Sequence, residues 1–146
     1  MISSYAHWNL VKSKKTNKQW VIKTFSEAYS QTAKNEILIM KLLDYHNIVK
    51  FKEVFIDKNN QFNIVKEHTG GGRLSQIILK KGRAVPEKHW LSEDQILNYF
   101  TQICLTIKHC HDRNIRYNDL KSGYIKVTSS GRCKLDDFAS AEVINT

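Results

Sequence analysis

Four short stretches in the first half of the chain combine apolar and β-branched residues in the spacing of strands that have one buried face. In the second of them, Val21, Lys23 and Phe25 share one face, because successive side chains of a strand point to opposite sides. The predicted strands are Asn9–Lys12, Gln19–Phe25, Ile48–Ile56 and Gln61–Lys66. Polar turns at 14–18 and 57–60 separate the members of each pair, which indicates two hairpins.

Apolar residues spaced three and four apart predict helices elsewhere in the chain. One helix, Ala33–Leu43, lies between the two strand pairs, and a short one, Leu74–Leu79, ends near Gly82. The clearest helix follows Ser92, a favourable N-cap that can form a capping box with Gln95. Its apolar residues recur at Ile96, Phe100, Ile103 and Ile107.

The order of these elements predicts two unequal parts. A small sheet with one helix comes first, and three glycines at 70–72 interrupt the pattern. Helices and a last hairpin, predicted over Tyr124–Thr128 and Arg132–Leu135, complete the chain. Strands followed by helices are typical of the α+β class. The 146 residues are enough for one domain with its own core.

The composition fits a globular protein, since 41% of the residues are hydrophobic and 25% are charged. The sequence has no apolar stretch long enough to span a membrane and no secretory signal at its start, so we expect a cytoplasmic protein, with the nucleus as an alternative. Cys104, Cys110 and Cys133 are odd in number and have no CxxC spacing. We expect them to be reduced, buried thiols.

The net charge of +9 raises the question of a nucleic-acid partner. Basic residues cluster at 12–18 and again at 80–83. Proteins that bind single strands place aromatic rings among such cations, and these clusters lack them. A solvated basic surface is therefore the favoured interpretation, and nucleic acid is not expected as a partner.

Two acidic residues, Asp119 and Asp137, flank the last predicted hairpin. Either acid alone would be typical of a polar turn. Together with their neighbours, in Ile115–Lys121 and Leu135–Ala139, they resemble the catalytic loop and the metal-binding loop of the protein kinase family. Further segments resemble the NIMA-related serine/threonine kinases: Val21–Lys23, Ser92–Leu97, Gln102–Leu105, His111–Arg113 and Asp119–Ser122.

The resemblance extends from about residue 3 to residue 143 and implies a kinase-like fold. It implies a small antiparallel β-sheet N-lobe with one helix, followed by an incomplete, mostly helical C-lobe. The expected limits are about 1–66 for the N-lobe, 67–73 for the hinge and 74–146 for the start of the C-lobe. The family's later helices and activation segment have no counterpart in the sequence, so the apolar face with Leu97, Cys104 and Leu105 is expected to lack its partners.

The resemblance also implies that the chain binds ATP and Mg²⁺ and acts on a protein substrate. Lys23 matches the lysine that pairs with the nucleotide phosphates, and Glu36 matches the glutamate that holds this lysine. Only 13 residues separate the two, fewer than expected, so an exposed Glu36 outside the pair is an equal alternative. Glu67 and His68 match the segment that borders ATP.

The remaining matched residues belong to the chemical step. Asp119 matches the aspartate that accepts the proton of the substrate hydroxyl. Lys121 matches the lysine that steadies the transferred phosphate, and Asp137 matches the magnesium ligand.

Several positions depart from the family pattern. The expected phosphate loop, Ser3–Trp8, has no glycine, although glycine lets backbone N–H groups approach phosphates; Ser3 and Ala6 stand where glycines belong. Tyr124 stands where the second metal ligand is expected. Further replacements are Tyr117 for histidine, Asn118 for arginine and Ala139 for glycine.

Charged residues also stand at unusual positions around the expected pocket. Lys66 falls where a mostly apolar side chain should close the back of the adenine pocket, and Asp136 falls where a small residue is usual. Because burying an unpaired ammonium is costly, Lys66 is expected to point outward or to distort the pocket. Arg73 replaces the usual acid near the ribose.

Three functions remain open from the sequence. The retained Lys23, Glu36, Asp119, Lys121 and Asp137 favour an ATP-dependent serine/threonine kinase. The departures favour a kinase by descent with weak or no activity, acting as a pseudokinase module that binds a protein. A truncated product without function is the third.

Overall fold

The structure is a computed structural model that describes residues 5–83 and 91–144, and for residues 80–83 only the backbone. The first part of the chain forms a four-stranded antiparallel sheet in the order β1-β2-β4-β3. The strands are β1 (Ala6–Lys12), β2 (Gln19–Phe25), β3 (Phe51–Ile56) and β4 (Phe62–Glu67). Lys23 lies on a central strand of this sheet, opposite Trp8 on one side and Ile64 on the other.

Helix α1 (Ser30–Leu42) lies in sequence between the two hairpins and follows one turn of 3₁₀ helix, Glu27–Tyr29. Its buried face carries the apolar residues Ala33, Ile37, Ile39 and Met40, together with a buried Glu36. These side chains join Phe25 and Ile64 of the sheet in one core. A carboxylate on the apolar side of a helix needs a buried cation as partner, and the buried Lys23 of β2 is that partner.

The second part contains α2 (Leu74–Arg83), α3 (Glu93–His111) and four short strands. The strands β6 (Ile125–Val127) and β7 (Cys133–Leu135) form an antiparallel hairpin, and β5 (Ile115–Arg116) pairs with β8 (Glu142–Val143). The predicted capping box of α3 is confirmed. The Gln95 N–H donates to Ser92 Oγ at 3.2 Å, and the Ser92 N–H donates to Gln95 Oε1 at 3.1 Å.

The two parts are joined by backbone hydrogen bonds between β7 and the segment before β3. The Leu135 N–H donates to the Asn47 carbonyl at 2.7 Å, and the Val49 N–H donates to the Leu135 carbonyl at 2.9 Å. This pairing explains why β3 begins at Phe51 and not at Ile48, where the pattern predicted it. Because of this pairing, Asp136 and Asp137, which directly follow β7, lie next to the first sheet.

Other predictions meet mixed outcomes. The mixed fold with an antiparallel N-lobe sheet is confirmed. The expectation of three buried cysteines is wrong for Cys104, which is exposed on α3 beside the exposed Leu105. Cys110 and Cys133 are buried, and all three thiols are free. Leu97 and Leu105 are exposed as expected, at 61% and 50%. Among the described residues, no helix combines the length and apolar character needed to cross a membrane.

Candidate active site

A buried ion-pair cluster lies where the first sheet meets the loop after β7. Lys23 Nζ on β2 donates to Glu36 Oε2 of α1 at 2.7 Å and to Asp137 Oδ1 at 3.0 Å. The side chains of Lys23 and Glu36 are fully buried, and that of Asp137 is 7% exposed. The pair of Lys23 with Glu36, which the short sequence separation left open, is therefore present in the structure.

Aromatic rings enclose the Lys23 ammonium on its remaining sides. Lys23 Nζ lies 4.7 Å from the ring centre of Phe25, 5.2 Å from that of Tyr5 and 5.4 Å from that of Trp8. Tyr5 and Trp8 come from the stretch predicted to be a phosphate loop. Strand β1 begins at Ala6 and not at Asn9 as predicted, so this stretch is drawn into the sheet; Ser3 lies outside the described residues. The lysine that would meet phosphates is thus covered by two carboxylates and three rings.

The carboxylate of Asp137 has a protein donor on each oxygen. The Tyr5 hydroxyl donates to Oδ2 at 2.9 Å, while Oδ1 accepts from Lys23 and, at 3.3 Å, from the Ala139 N–H. Burial and the neighbouring Asp137 carboxylate both raise the pKa of Tyr5, so its hydroxyl keeps its proton and remains a donor. Asp137 has a φ of 59°, a left-handed conformation that aspartate tolerates better than most residues.

A second buried ion pair lies beside the first and corrects the prediction for Lys66. Lys66 is only 1% exposed, and its Nζ lies 2.5 Å from Asp136 Oδ1 and 3.5 Å from Glu36 Oε1. The prediction that Lys66 points outward is wrong, because Asp136 supplies the carboxylate that its burial requires. Burial alone would raise the pKa of Asp136, but the Lys66 ammonium outweighs this effect and holds it at about 2.

The predicted catalytic pair, Asp119 and Lys121, lies on a more exposed loop. Lys121 Nζ donates to Asp119 Oδ2 at 2.8 Å, with the two side chains 51% and 39% exposed. The same ammonium lies 4.2 Å from the ring centre of Tyr124. Tyr124 lines one cavity together with Asp137, so it connects the catalytic pair to the buried cluster.

Two replaced residues of the catalytic loop have structural roles. The buried Tyr117 donates its hydroxyl to the Asp136 carbonyl at 2.5 Å and packs edge-on against Phe138, with ring centres 5.1 Å apart. Asn118 adopts a φ of 68° and donates from its side chain to the Ser140 carbonyl at 3.0 Å. These contacts hold the loop after β7 against the loop that precedes the 3₁₀ turn Ser122–Tyr124. They are made by Tyr117 and Asn118, which replace the histidine and arginine that the resemblance leads one to expect.

A cavity of about 340 Å³ opens beside this cluster, within the range of small-molecule sites. Glu67, His68 and Arg73 are among its lining residues. The Glu67 carboxylate already has partners, since its Oε1 accepts from the Lys50 N–H at 2.7 Å and from Lys134 Nζ at 2.5 Å. This second role of Glu67 could not be predicted from the sequence, because Lys134 lies 67 residues away along the chain.

Comparisons with known proteins show the family. The family model of the protein kinase domain matches residues 4–146. This chain belongs to the protein kinase family. It is 37% identical over 142 residues to the serine/threonine-protein kinase Nek1 of Mus musculus, which covers 94% of the chain and 11% of the relative.

Two further mouse relatives belong to the same group of kinases. Nek3 of Mus musculus is 34% identical over 146 residues, covering 98% of the chain and 27% of the relative. Nek5 of Mus musculus is 38% identical over 138 residues, covering 93% of the chain and 21% of the relative. The resemblance to NIMA-related kinases is thereby confirmed. The chain spans between 11% and 27% of the length of these three relatives.

Within the kinase family the magnesium ligands are oxygens, and this donor set does not fit the ion. Both oxygens of Asp137 are held by protein donors, as described above. Asp136 is committed to Lys66 and to the Asp137 N–H, at 2.7 Å. The Tyr124 side chain has no carbonyl oxygen, and its backbone carbonyl already accepts from the Asp136 N–H at 2.9 Å. Mg²⁺ requires a nearly octahedral set of oxygens and would have to displace the Tyr5 hydroxyl and the Lys23 ammonium. Among residues 5–83 and 91–144, no three acidic, histidine or cysteine side chains form a metal-binding group.

Proposed function

We propose that this chain is a serine/threonine-kinase-like domain with little or no capacity to transfer the γ-phosphate of ATP to protein hydroxyls. In this proposal residues 1–66 form the N-lobe, 67–73 the hinge and 74–146 the beginning of the C-lobe, and the protein acts in the cytoplasm or nucleus. Asp119 and Lys121 retain the residue types for the chemical step.

The observation that carries the proposal is the complete burial of Lys23. Its exposed fraction is 0%. The pair with Glu36 is one that an active kinase also needs, but the rings of Tyr5 and Trp8, which line the nucleotide cavity, lie 5.2 and 5.4 Å from the ammonium. Phosphoryl transfer depends on charges positioned against the phosphates, and one such donor contributes on the order of 3–4 kcal/mol to the transition state. A lysine enclosed by Tyr5, Trp8 and Phe25 makes no such contribution unless the enclosing residues move.

The buried charges of the site are neutralised by one another, and not by a nucleotide or a metal ion. Glu36 bridges Lys23 and Lys66, and the two aspartates at 136 and 137 each hold one of these lysines. All these charges therefore find partners within the chain. The kinase-like arrangement is then stable without ATP or Mg²⁺, which suits a domain that keeps the fold and loses the reaction.

A second candidate, a pseudokinase module that binds another protein, is favoured by α3. Its described surface exposes Leu97 and Phe100, at 61% and 62%, with Leu105 further along at 50%. Exposed apolar patches of this kind often mark interaction surfaces. The two candidates are compatible, since a domain without phosphotransfer can still bind a partner.

Thermal melting tests nucleotide binding. The chain is melted alone, with ATP and EDTA, and with ATP and Mg²⁺, and the shift in each case is compared with that of Asp119→Asn. A ligand at a hundred times its Kd adds about 2.7 kcal/mol, which would raise Tm by roughly 8 °C in a chain of this size. We expect shifts below about 2 °C. A large shift that requires Mg²⁺ would contradict the misfit of the metal site.

Radiolabel transfer tests the chemical step directly. The chain is incubated with labelled ATP, Mg²⁺ and a generic basic protein, with Asp119→Ala as the matched control because Asp119 is exposed and its removal leaves the buried cluster intact. We expect the same background label in both samples. Incorporation that disappears in Asp119→Ala would refute the proposal.

A further inference from the structure

A second cavity, of about 610 Å³, lies between the end of α1, the segment 43–51 and strand β7. We call it the basic groove. Only Val49 lines both this groove and the candidate nucleotide cavity, so a molecule bound in one leaves most of the other uncovered. The groove is therefore a separate feature of the described surface.

Cations outnumber acids in the basic groove. Four basic side chains line it, Lys41, Lys50, Arg132 and Lys134, together with a single carboxylate, that of Asp44. Lys134 is paired with Glu67. Within residues 5–83 and 91–144, the ammonium of Lys50 and the guanidinium of Arg132 form no ion pair, and both residues are exposed. Two cations that share one groove without acidic partners create a local positive potential.

Part of the groove lining is apolar, and Phe51 is its most accessible apolar residue. Met40, Leu43 and Ile48 also line the groove and are buried, and Phe51 is half-buried beside them, with Lys41 Nζ 5.9 Å from its ring centre. A partly apolar lining with a cationic rim is complementary to a ligand that combines an apolar side chain with carboxylates on either side.

We propose that the basic groove binds an acidic peptide segment of a partner protein. A leucine or phenylalanine side chain of the peptide lies against the apolar part of the lining, and flanking carboxylates meet Lys50 and Arg132. This inference does not depend on the absence of phosphotransfer, because no group of the nucleotide cavity other than Val49 takes part.

The packing of Tyr45, which lines the groove together with the half-buried Phe51, favours a peptide over a nucleic acid. Proteins that bind single strands stack bases on free ring faces. Tyr45 is already stacked on His109, with ring centres 4.3 Å apart and an angle of 18°, and lies 4.2 Å from the ring of His46. Its ring is therefore held by these neighbours and is a poor platform for a base.

Fluorescence anisotropy tests the proposal with a defined probe, the fluorescein-labelled peptide Asp-Glu-Glu-Leu-Asp-Phe-Glu-Asp, in the absence of ATP. The double variant Lys50→Glu/Arg132→Glu should weaken binding about tenfold or more, since it turns two attractions into repulsions. Lys14→Glu/Lys15→Glu is the matched control, because it changes the net charge equally in an exposed turn whose residues do not line the groove. We expect this control to weaken binding less than about threefold.

Two further probes decide what the groove recognises. The peptide in which Asn and Gln replace the acids, and the peptide in which serine replaces its leucine and phenylalanine, should both bind at least about tenfold more weakly. Equal losses in the two double variants would overturn the proposal, since they would indicate attraction to net charge alone. Tighter binding of a labelled oligothymidine, abolished by Lys50→Glu/Arg132→Glu, would overturn it in favour of nucleic acid. Unchanged circular dichroism shows that a variant is folded, and the single variant Arg132→Gln serves if the double variant is not.

Discussion

Lys66 and Asp136 are each unusual for a kinase, and in the structure each is the other's partner. Their atoms Nζ and Oδ1 lie 2.5 Å apart, and both side chains are largely buried, at 1% and 13% exposure. The perturbation that tests this pairing is a double-mutant cycle. It consists of Lys66→Met, which restores an apolar side chain of similar length, Asp136→Ala, and the variant that carries both.

The magnitudes follow from the partner that each single change leaves behind. Removing one member of a buried ion pair costs roughly 3–5 kcal/mol, and replacing both members with apolar groups is often nearly neutral. In Asp136→Ala, Lys66 still has Glu36 at 3.5 Å, and in Lys66→Met, Asp136 keeps the Asp137 N–H. Each single variant should therefore lose about 3 kcal/mol, and the double variant about 1 kcal/mol or less, so the costs fail to add by several kcal/mol.

Urea unfolding monitored by circular dichroism measures these free energies, and its pH dependence gives a second readout. The folded-state pKa of Asp136 is about 2, against about 3.9 in the unfolded chain. Its contribution, on the order of 2–3 kcal/mol, is thus present above about pH 4 and is lost as the pH falls from about 4 to 2. Asp136→Ala should remove this part of the acid-induced loss of stability.

The exposed pair of Arg116 and Glu142 provides the control. Its atoms lie 3.0 Å apart, but the side chains are 55% and 52% exposed. Exposed pairs contribute at most about 1 kcal/mol, so Arg116→Ala and Glu142→Ala should have small, additive effects. Costs at Lys66 and Asp136 that add to within about 0.5 kcal/mol would refute the claim that the two residues compensate each other.

Three further substitutions test a close backbone contact, a buried hydrogen bond and a helix cap, and urea unfolding again measures the free energy of unfolding. Gly71→Ala should cost about 3 kcal/mol or more, because its Cβ would lie 1.5 Å from the Val127 carbonyl oxygen, whereas Gly123→Ala, with no atom within 4 Å, should change stability by less than about 1 kcal/mol. Tyr117→Phe should cost about 1–1.5 kcal/mol through loss of the bond to the Asp136 carbonyl; an unchanged midpoint would show that this bond contributes nothing. Ser92→Ala should cost about 1 kcal/mol, and Ser92→Asn should restore most of it if capping is the cause.

Elements that depend on neighbouring residues were predicted correctly from the local sequence pattern. The capping box of Ser92 and Gln95 involves residues three positions apart, and the strand Gln19–Phe25 has the limits that its composition predicted. Strand boundaries that depend on pairing with distant residues were not predicted. The segment 47–49 pairs with β7, more than eighty residues later, so the predicted strand from Ile48 begins only at Phe51.

The candidate site shows the same division. The residue types of Lys23, Glu36, Asp119 and Asp137 were recognisable from their neighbours along the chain. The role of Tyr5 was not, because no local pattern shows that its hydroxyl reaches Asp137, which is 132 positions away. The basic groove was equally hidden, since Lys50 and Arg132 belong to neither of the basic clusters visible in the sequence.

The sequence by itself determined the longer elements, their order and the kinase ancestry, because these depend on propensities and motifs that act over a few residues. It did not predict the short pair β5 and β8, whose strands lie far apart along the chain. Only the tertiary structure decided whether the unusual charges are defects or partners. Lys66 alone predicted an outward side chain or a distorted pocket, and Asp136 alone was an acid where a small residue is usual. Brought together away from water, each removes the desolvation cost that the other would otherwise impose, and that cost is set by distance in space and not by position along the chain.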